Sequence, residues 1–238
     1  MQKRYILWTG GWDSTFCVIQ ALRTSDEVVQ PIYLIDPHRP STATELQTIE
    51  QMQAMIVEQF PDAADRLLPL KIDPIRHQDT APVLKESLEA VRKIIHLGDQ
   101  YPWIAQYLND HDLTGVDLAV EARGRIRELL QDYIAGDIID PAHRGTDVWN
   151  LFGRYRFPII HLSKWDSLEI AKEAGFLDIL NISWFCHTPL MGRPCGTCNP
   201  CKDATKKGFG WRIPFWTRYP SQLRNMLRTL WRKLRGRG

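Results

Sequence analysis

The sequence TGGWDST at residues 9–15 lies between a short apolar run, RYILW at residues 4–8, and a segment whose apolar residues keep helical spacing. The apolar run predicts a buried strand, and the two glycines predict a tight turn into a helix. Ser14 is the expected N-cap of that helix. A strand, a glycine turn and a helix in this order are typical of the ligand-binding edge of a parallel α/β sheet.

Apolar strands and amphipathic helices continue to alternate along the chain. Strands are expected at residues 28–35, 67–72, 116–120 and 158–162, and helices at residues 42–60, 83–95, 103–109 and 122–133. Thr42 with Glu45, and Ser163 with Asp166, have the spacing of capping boxes. The order predicts an α/β fold, a doubly wound parallel sheet with its ligand crevice at the carboxyl ends of the strands.

The turn at residues 9–15 is expected to bind a phosphate. Adjacent glycines allow positive φ and close approach of the backbone, so that consecutive amides can surround an anion at a helix N-terminus. Ser14 and Thr15 can add hydroxyl donors. A glycine turn kept only for its geometry is the alternative, which the Asp-Ser continuation disfavours. A Walker A loop and the dinucleotide glycine fingerprint are both absent, which argues against GTP and NAD.

Four cysteines lie close together near the C-terminal end of the chain. They are Cys186, Cys195, Cys198 and Cys201, with the spacing C-x8-C-x2-C-x2-C. Two overlapping C-x2-C pairs and a fourth thiolate can close a tetrahedral shell around Zn²⁺, so a structural zinc site is expected. Disulfides and an iron–sulfur cluster are the alternatives. Cys17 is expected in the core, and His187 near the metal site or in the ligand pocket.

Charge is divided unevenly along the chain. The net charge is +2, yet the residues from Ala204 onward contain ten Lys or Arg and no Asp or Glu, which leaves residues 1–203 at about −8. Apolar residues at helical spacing between Leu223 and Leu234 predict a basic amphipathic helix. We expect it to contact the domain or a protein partner, an anionic membrane surface, or a nucleic acid. No signal-peptide pattern and no spanning apolar run is visible, so a cytoplasmic location is expected.

Both motifs resemble those of one protein family. TGGWDST is similar to the Ser-Gly-Gly-x-Asp-Ser loop of the PP-loop ATP-pyrophosphatases, with Thr9 in place of the serine. Within that class, the cysteine pattern resembles that of the 7-cyano-7-deazaguanine synthases, as do Trp184-Phe185 before Cys186 and the segment that begins at Ser163-Lys164. The likeness spans about residues 4–208, and it implies an adenine nucleotide alpha hydrolase-like fold.

The resemblance implies an ATP-dependent carbon–nitrogen ligase. In that family the carboxylate of 7-carboxy-7-deazaguanine attacks the α-phosphate of ATP, pyrophosphate leaves, and ammonia displaces AMP. A second activation then turns the amide into the nitrile of queuosine biosynthesis. The implied cofactors are ATP, Mg²⁺ and Zn²⁺.

Three other functions are open to the same residues. A related branch in antiphage systems implies joining a deazaguanine to a protein amine, and a module that binds nucleotide without turnover is a further alternative. A tRNA-thiolating enzyme is disfavoured, because such relatives use paired cysteines for sulfur transfer and these four are better used on a metal.

The resemblance also implies site residues. Catalysis falls to Asp13 and Ser14. The ATP site comprises Thr9, Gly10, Gly11, Trp12, Asp13, Ser14, Thr15 and Arg39, with Trp12 covering the nucleotide or packing beneath it and Arg39 in the family's Arg-His-bearing segment. The substrate contacts are Gln100, Tyr101 and Lys164.

The sequence departs from the family near the expected substrate. Gly98-Asp99-Gln100-Tyr101 stands where the family has Pro-x-Arg-Asn, so the resemblance supports the nucleotide chemistry more strongly than the identity of the acceptor. The partners expected are a small-molecule substrate, such as a deazapurine carboxylate, and a second copy in a homodimer. The chain is divided into an ATP-pyrophosphatase domain at 1–185, a zinc-binding module at 186–211 and a basic tail at 212–238.

Overall fold

The computed structural model describes residues 2–218, and its centre is a mostly parallel sheet. The seven strands of this part of the chain are β1 (Lys3–Leu7), β2 (Val28–Ile35), β3 (Lys71–Pro74), β4 (Val116–Asp117), β5 (Ile134–Ala135), β6 (Ile138–Ile139) and β7 (Tyr155–Arg156). They lie in the order β3-β2-β1-β4-β7-β6-β5. β1, β2, β3, β4 and β7 run parallel, and β5 and β6 complete the sheet as an antiparallel edge.

Helices cover both faces of the sheet. They are α1 (Trp12–Thr24), α2 (Thr42–Gln59), α3 (Pro61–Ala64), α4 (Pro82–Arg92), α5 (Gln100–Asp110), α6 (Arg125–Leu130), α7 (Asp147–Phe152), α8 (Lys164–Glu173), α9 (Leu177–Asn181) and α10 (Asn199–Lys206). Ile6 packs with α1, α2, α8 and α9, whereas its neighbour Leu7 packs with α4, α5, α6 and α7. Successive side chains of a strand point to opposite faces, so the predicted doubly wound α/β fold is confirmed.

The order of the strands places the loop at residues 9–15, which we call the phosphate loop for its expected ligand. β1 is followed by α1 and then by β2 on one side, while β4 pairs with β1 on the other side. The chain therefore changes direction across the sheet at β1. In an open α/β sheet, the crevice at such a point is the usual place for a ligand.

Three predicted strands differ from the structure. Residues 158–161 form turns, Leu162 has no regular structure, and the last parallel strand is β7, which ends at Arg156. Burial of Phe157, Ile159 and Ile160 explains the apolar run without a strand, and Pro158 has no amide to donate to a neighbouring strand. The strand predicted at 67–72 begins only at Lys71, and the one at 116–120 covers β4 alone.

Two predicted helix caps are wrong, although α2 begins at Thr42 as predicted. Gly11 is the N-cap of α1, so Ser14 lies inside its first turn. Thr42 and Glu45 form no capping box, because the Thr42 hydroxyl donates to the carbonyl oxygen of Arg39 while Glu45 is buried in other contacts. The Ser163 capping box with Asp166 is confirmed at the start of α8. The helix predicted at 122–133 is shorter, at Arg125–Leu130.

The predicted basic helix between Leu223 and Leu234 lies outside the described residues. Within residues 2–218, none of the helices combines the length and the hydropathy that crossing a bilayer requires.

Candidate nucleotide and metal sites

The loop after β1 opens into a cavity of about 800 Å³ at the carboxyl ends of β1 and β4. Most of the residues predicted to bind ATP or substrate line it, namely Thr9, Gly11, Trp12, Asp13, Ser14, Arg39, Gln100, Tyr101 and Lys164. They come from the β1–α1 loop, the segment after β2, α5 and the start of α8. The fold thus brings together residues that are far apart in the sequence.

Gly10 fixes the course of the loop. Its φ is +68°, a conformation that L side chains rarely adopt, and an added Cβ would lie 3.1 Å from Cγ1 of Ile49 and 3.2 Å from the carbonyl oxygen of Glu45. Its own carbonyl oxygen accepts a hydrogen bond from the amide of Trp184 at 2.8 Å. The loop is therefore held between α2 and the segment that leads to the cysteines.

The N-terminus of α1 faces the same cavity. The first amides of a helix have no intrahelical acceptor, and within the described chain Thr15 is the first residue of α1 whose amide finds one, the carbonyl oxygen of Gly11 at 3.0 Å. The hydroxyls of Thr9 and Ser14 lie 3.4 Å apart beside these amides. This arrangement offers hydrogen-bond donors and a positive helix end to an anion.

Thr15 is placed differently from the other loop residues. Its side chain is fully buried, accepts a hydrogen bond from Nε1 of Trp8 at 2.9 Å and donates to Sδ of Met52 at 3.3 Å. Neither Thr15 nor Gly10 lines the cavity. The Thr15 hydroxyl therefore ties α1 to β1 and α2 instead of pointing to a ligand.

Trp12 forms part of the cavity wall. Its indole Nε1 donates to Oγ of Ser167 at 3.0 Å, and its ring meets that of Phe209 edge-on at 5.4 Å. Only 4% of the residue is exposed. These contacts hold the ring against α8 and the segment after α10, so it is a fixed wall and not a mobile cover.

Charged residues at the cavity are mostly paired. Nζ of Lys164 lies 3.2 Å from Oδ2 of Asp13, and Lys207 forms an ion pair with Glu121. Lys207, six residues after the last cysteine, was not predicted to lie at the cavity. Its position after α10 brings the C-terminal module to the edge of the cavity.

Arg39 is fixed by a buried carboxylate. Its Nε lies 2.8 Å from Oε1 of Glu45, which also accepts a hydrogen bond from Ser41, while Oε2 accepts one from the hydroxyl of Tyr33. Burial, and then the charge of Glu45, raises the pKa of Tyr33 above its usual range. Burial and the nearby Arg39 lower the pKa of His187, so this cavity residue is neutral at pH 7.

The expected substrate residues on α5 have different environments. Gln100 is exposed at the start of the helix, whereas the ring of Tyr101 packs on Phe152 with 5.3 Å between centroids. Burial raises the pKa of Tyr101 to about 12, so the phenol is neutral at pH 7. Nearby, the ring of Trp103 stacks on His77 at 3.8 Å. This end of the cavity is a wall of planar side chains.

The four clustered cysteines form a compact sulfur group. Their Sγ atoms all lie within 4.8 Å of one another, with 3.8 Å between Cys186 and Cys198 and 4.0 Å between Cys195 and Cys201. Amides at Thr197 and Cys198 donate to Sγ of Cys195 at 3.4 and 3.3 Å. The predicted ligands are thus brought together as a group that could hold a metal ion. Cys17 is buried in the core, as expected.

The structure also places Arg212 at the cavity, which the sequence analysis missed. It ends a 3₁₀ turn at Gly210–Arg212, and its neighbour Ile213 packs against Cys186, Cys195 and Cys201. The sequence offers no local signal for this position, because it depends on how the chain returns from the cysteines to α1.

No protein-family model matches the chain. Two solved structures are similar to it. One is the U34-tRNA thiolase NcsA from Methanococcus maripaludis with its [4Fe-4S] cluster, at 12% identity and a TM-score of 0.45 over 96% of this chain and 72% of that one. The other is a 4-thiouridine synthetase in complex with RNA and bound ATP, at 12% identity and a TM-score of 0.42 over 90% of this chain. The chain spans 50% of the length of that synthetase.

Proposed function

We propose that the protein is an ATP-dependent enzyme that adenylates an acceptor carboxylate and releases pyrophosphate. The observation that carries the proposal is the loop after β1. Gly10, at a φ of +68°, turns this loop so that the N-terminus of α1 opens into a cavity of about 800 Å³ at the point where the sheet changes direction. Helix N-termini at such points bind phosphates.

The chemistry asks the protein for position and charge. A carboxylate oxygen attacks the α-phosphorus of ATP, the bond to the bridging oxygen breaks, and pyrophosphate leaves with the electron pair. The amides of residues 12–14 and the hydroxyls of Thr9 and Ser14 can hold the phosphate chain, and Lys164 can neutralise charge that develops on it. No cysteine lines the cavity in the described chain, which favours this reaction over sulfur transfer.

Asp13 suits the Mg²⁺ that accompanies ATP. Mg²⁺ prefers carboxylate, phosphate and water oxygens, and the Asp13 carboxylate is at the cavity beside the proposed phosphate site. Its Oδ2 contacts Lys164, which leaves Oδ1 for a hydrated cation. The metal ion would offset charge on the phosphate chain.

The sulfur group suits a single zinc ion. Zinc–thiolate bonds of about 2.3 Å in a tetrahedron place the sulfur atoms roughly 3.8 Å apart, which agrees with the 3.8 and 4.0 Å of two sulfur pairs and with all four Sγ atoms lying within 4.8 Å. An iron–sulfur cluster spreads its thiolates over separate iron atoms, and therefore needs wider spacing. Four thiolates close the shell, so we infer a structural role for the metal.

We infer a planar heteroaromatic carboxylate, such as a 7-carboxy-7-deazaguanine-like compound, as the acceptor. The aromatic wall formed by Tyr101 and Trp103 supports this choice, because flat rings pack well against aromatic side chains. The acyl adenylate would then react with ammonia to give an amide, and a second activation would give a nitrile. In the antiphage-type alternative, a protein amine takes the place of ammonia, and the altered Gln100–Tyr101 segment suits a different acceptor.

The test is release of pyrophosphate and AMP from ATP and Mg²⁺ across a panel of heteroaromatic carboxylates, with ammonia or an amine. Asp13→Ala should abolish carboxylate-dependent release. Asp178→Ala is the matched control, since Asp178 is an exposed aspartate in the first turn of α9. Stoichiometric ATP binding without pyrophosphate release for any acceptor would support a nucleotide-binding module instead. Product analysis with ammonia and with a lysine-containing peptide separates the two nucleophiles.

A further inference from the structure

The guanidinium of Arg212 lies over two aromatic rings at the cavity wall. Its guanidinium carbon lies 5.8 Å from the ring centroid of Trp12 and 4.8 Å from that of Phe185. Trp12 belongs to the phosphate loop, and Phe185 precedes the first clustered cysteine. Stacking on aromatic faces fixes the plane of a guanidinium, so this cation is oriented before any ligand arrives.

One nitrogen of the guanidinium carries its hydrogen bonds to the protein. Nη2 donates to two atoms of Ser183, its carbonyl oxygen and, at 2.9 Å, its Oγ. It also donates to the carbonyl oxygen of Asn181 at 3.4 Å. Within residues 2–218, Nε and Nη1 make no hydrogen bond to the chain. Since Arg212 lines the cavity, these donors are available to a ligand there.

Arg212 also differs in its ion pairing, since among residues 2–218 it contacts no carboxylate. The other Lys and Arg side chains at the cavity have carboxylate partners: Lys164 pairs with Asp13, Arg39 with Glu45, and Lys207 with Glu121. In the described part of the chain, no carboxylate oxygen comes within 4.0 Å of Arg212. Burial lowers the pKa of Arg212 to about 10, although the charge of Asp13 acts in the opposite direction. The side chain is therefore a cation at pH 7.

Arg212 is partly buried, and a cation withdrawn from water without a carboxylate partner is costly to the fold. An anion bound beside the phosphate loop would supply the negative charge that offsets this cost. The guanidinium fork matches two phosphate oxygens at once and stays charged in a dry site, which a lysine ammonium does not reproduce.

We propose that Arg212 binds the phosphate chain of the nucleotide and forms, with the β1–α1 loop, a two-sided polyphosphate site. The identity of the ligand as ATP rests on the proposed function. The anion site by itself requires only a chain of phosphates. The C-terminal segment after the cysteines thus contributes directly to substrate binding.

Calorimetric titration of the full chain with ATP, adenosine and tripolyphosphate tests this role. We expect Arg212→Gln to weaken binding of ATP and of tripolyphosphate by about 10- to 100-fold, and to leave adenosine binding unchanged. Arg212→Lys should recover only part of the loss. Lys206→Gln is the matched control. Lys206 is exposed on α10, so this substitution also removes one positive charge, but at a position outside the cavity.

Four outcomes separate this inference from the proposed function. If the wild type binds ATP and Arg212→Gln binds it within twofold, Arg212 has no role and the adenylation proposal stands. If the wild type binds tripolyphosphate but not ATP, and Arg212→Gln does not bind tripolyphosphate, the anion site stands and the ATP-dependent function falls. If the wild type binds neither, both fall. Equal losses in Lys206→Gln and Arg212→Gln would mean bulk charge alone and would overturn the inference.

Discussion

The ammonium nitrogen of Lys164 lies 3.2 Å from Oδ2 of Asp13, and this contact joins the first turns of α8 and α1 across the floor of one cavity. The two residues are 151 positions apart in the chain. Both side chains are partly exposed, at 21% for Lys164 and 27% for Asp13. The pair therefore presents a cation and a carboxylate together to a ligand, while solvent still screens their attraction.

A double-mutant cycle with Asp13→Asn and Lys164→Met separates stability from catalysis. We expect a coupling of about 0.5–1 kcal/mol in the free energy of unfolding, since partly solvated ion pairs contribute little. Pyrophosphate release should fall by about 100-fold in each single variant, because Asp13→Asn removes the proposed Mg²⁺ ligand and Lys164→Met removes the cation proposed to neutralise the phosphate chain. Chemical denaturation and the release assay measure the two effects. Wild-type release in either single variant would remove that residue from the site.

Replacement of Gly10 tests the geometry of the phosphate loop. Gly10→Ala places a methyl group 3.1 Å from Ile49 and strains the backbone at a φ of +68°. We therefore expect the free energy of unfolding to fall by about 2–4 kcal/mol and ATP binding to be lost. Gly136→Ala is the control, because Gly136 has a φ of +67° with nothing within 4 Å of an added Cβ. It should cost about 1 kcal/mol and leave ATP binding intact. Equal costs would mean that the close approach to α2 is unimportant.

The sequence predicted those elements whose signals are local. β2 occupies residues 28–35 as expected, because a β-branched run between polar turns has few other ways to be buried. The Ser163 capping box formed as expected because both partners lie within one helical turn. The meeting of the four cysteine sulfur atoms was predicted for the same reason, because all four lie within residues 186–201.

Features that depend on tertiary contacts were missed. The isoleucines of 158–161 are buried in a turn, and burial alone does not distinguish a strand from a turn. Thr15 looked like a phosphate ligand, but its hydroxyl lies between Trp8 and Met52 in the core. Arg212 was counted as part of a basic tail, and its position became visible only with Trp12 and Phe185 beside it.

Removal of the proposed zinc ion should affect nucleotide binding as well as local structure. Ile213 packs among the cysteines directly after Arg212, so loss of the ion should release the segment that holds this guanidinium. We expect a strong chelator, or Cys198→Ser, to abolish zinc binding and weaken ATP binding about tenfold or more. Cys17→Ala, in the core, should keep one zinc per chain. Elemental analysis and calorimetry check both effects, and unchanged ATP affinity in the zinc-free protein would contradict the coupling.

The capping box at the start of α8 predicts a pH dependence. Hydrogen bonds from the hydroxyl and then the amide of Ser163 lower the pKa of Asp166 below its usual range. The resulting stabilisation is fully present above the unfolded-state pKa of about 3.9 and is lost as pH falls through the lower folded-state value. Asp166→Asn should therefore lower Tm at pH 7, and the difference from wild type should shrink below about pH 4. Comparing the two proteins at each pH cancels acid effects on the remainder of the chain. A difference that is constant with pH would exclude the charge of Asp166 as the cause.

Strands β1, β4 and β7 are joined by a buried cluster of charges. Asp117 on β4 is fully buried and lies 2.7 Å from Nε of both Arg4 on β1 and Arg156 on β7. Burial raises the pKa of Asp117 even though the two arginines act to lower it, so the ion pairs offset a desolvation cost more than they add stability.

Breaking this cluster should nevertheless be costly, because Asp117→Asn leaves two guanidinium groups facing a neutral amide. We expect a loss of about 3 kcal/mol in the free energy of unfolding. The same change at Asp112, whose side chain is 94% exposed beside Arg154, should cost less than about 0.5 kcal/mol. Urea denaturation of both variants measures the contrast.

Ile6 with Asp117 is the register pair that joins β1 to β4, so Asp117→Asn should also loosen the edge from which the phosphate loop departs and weaken ATP binding. Equal stability of the two variants would mean that solvent reaches Asp117 and that the arginines do not hold these strands together.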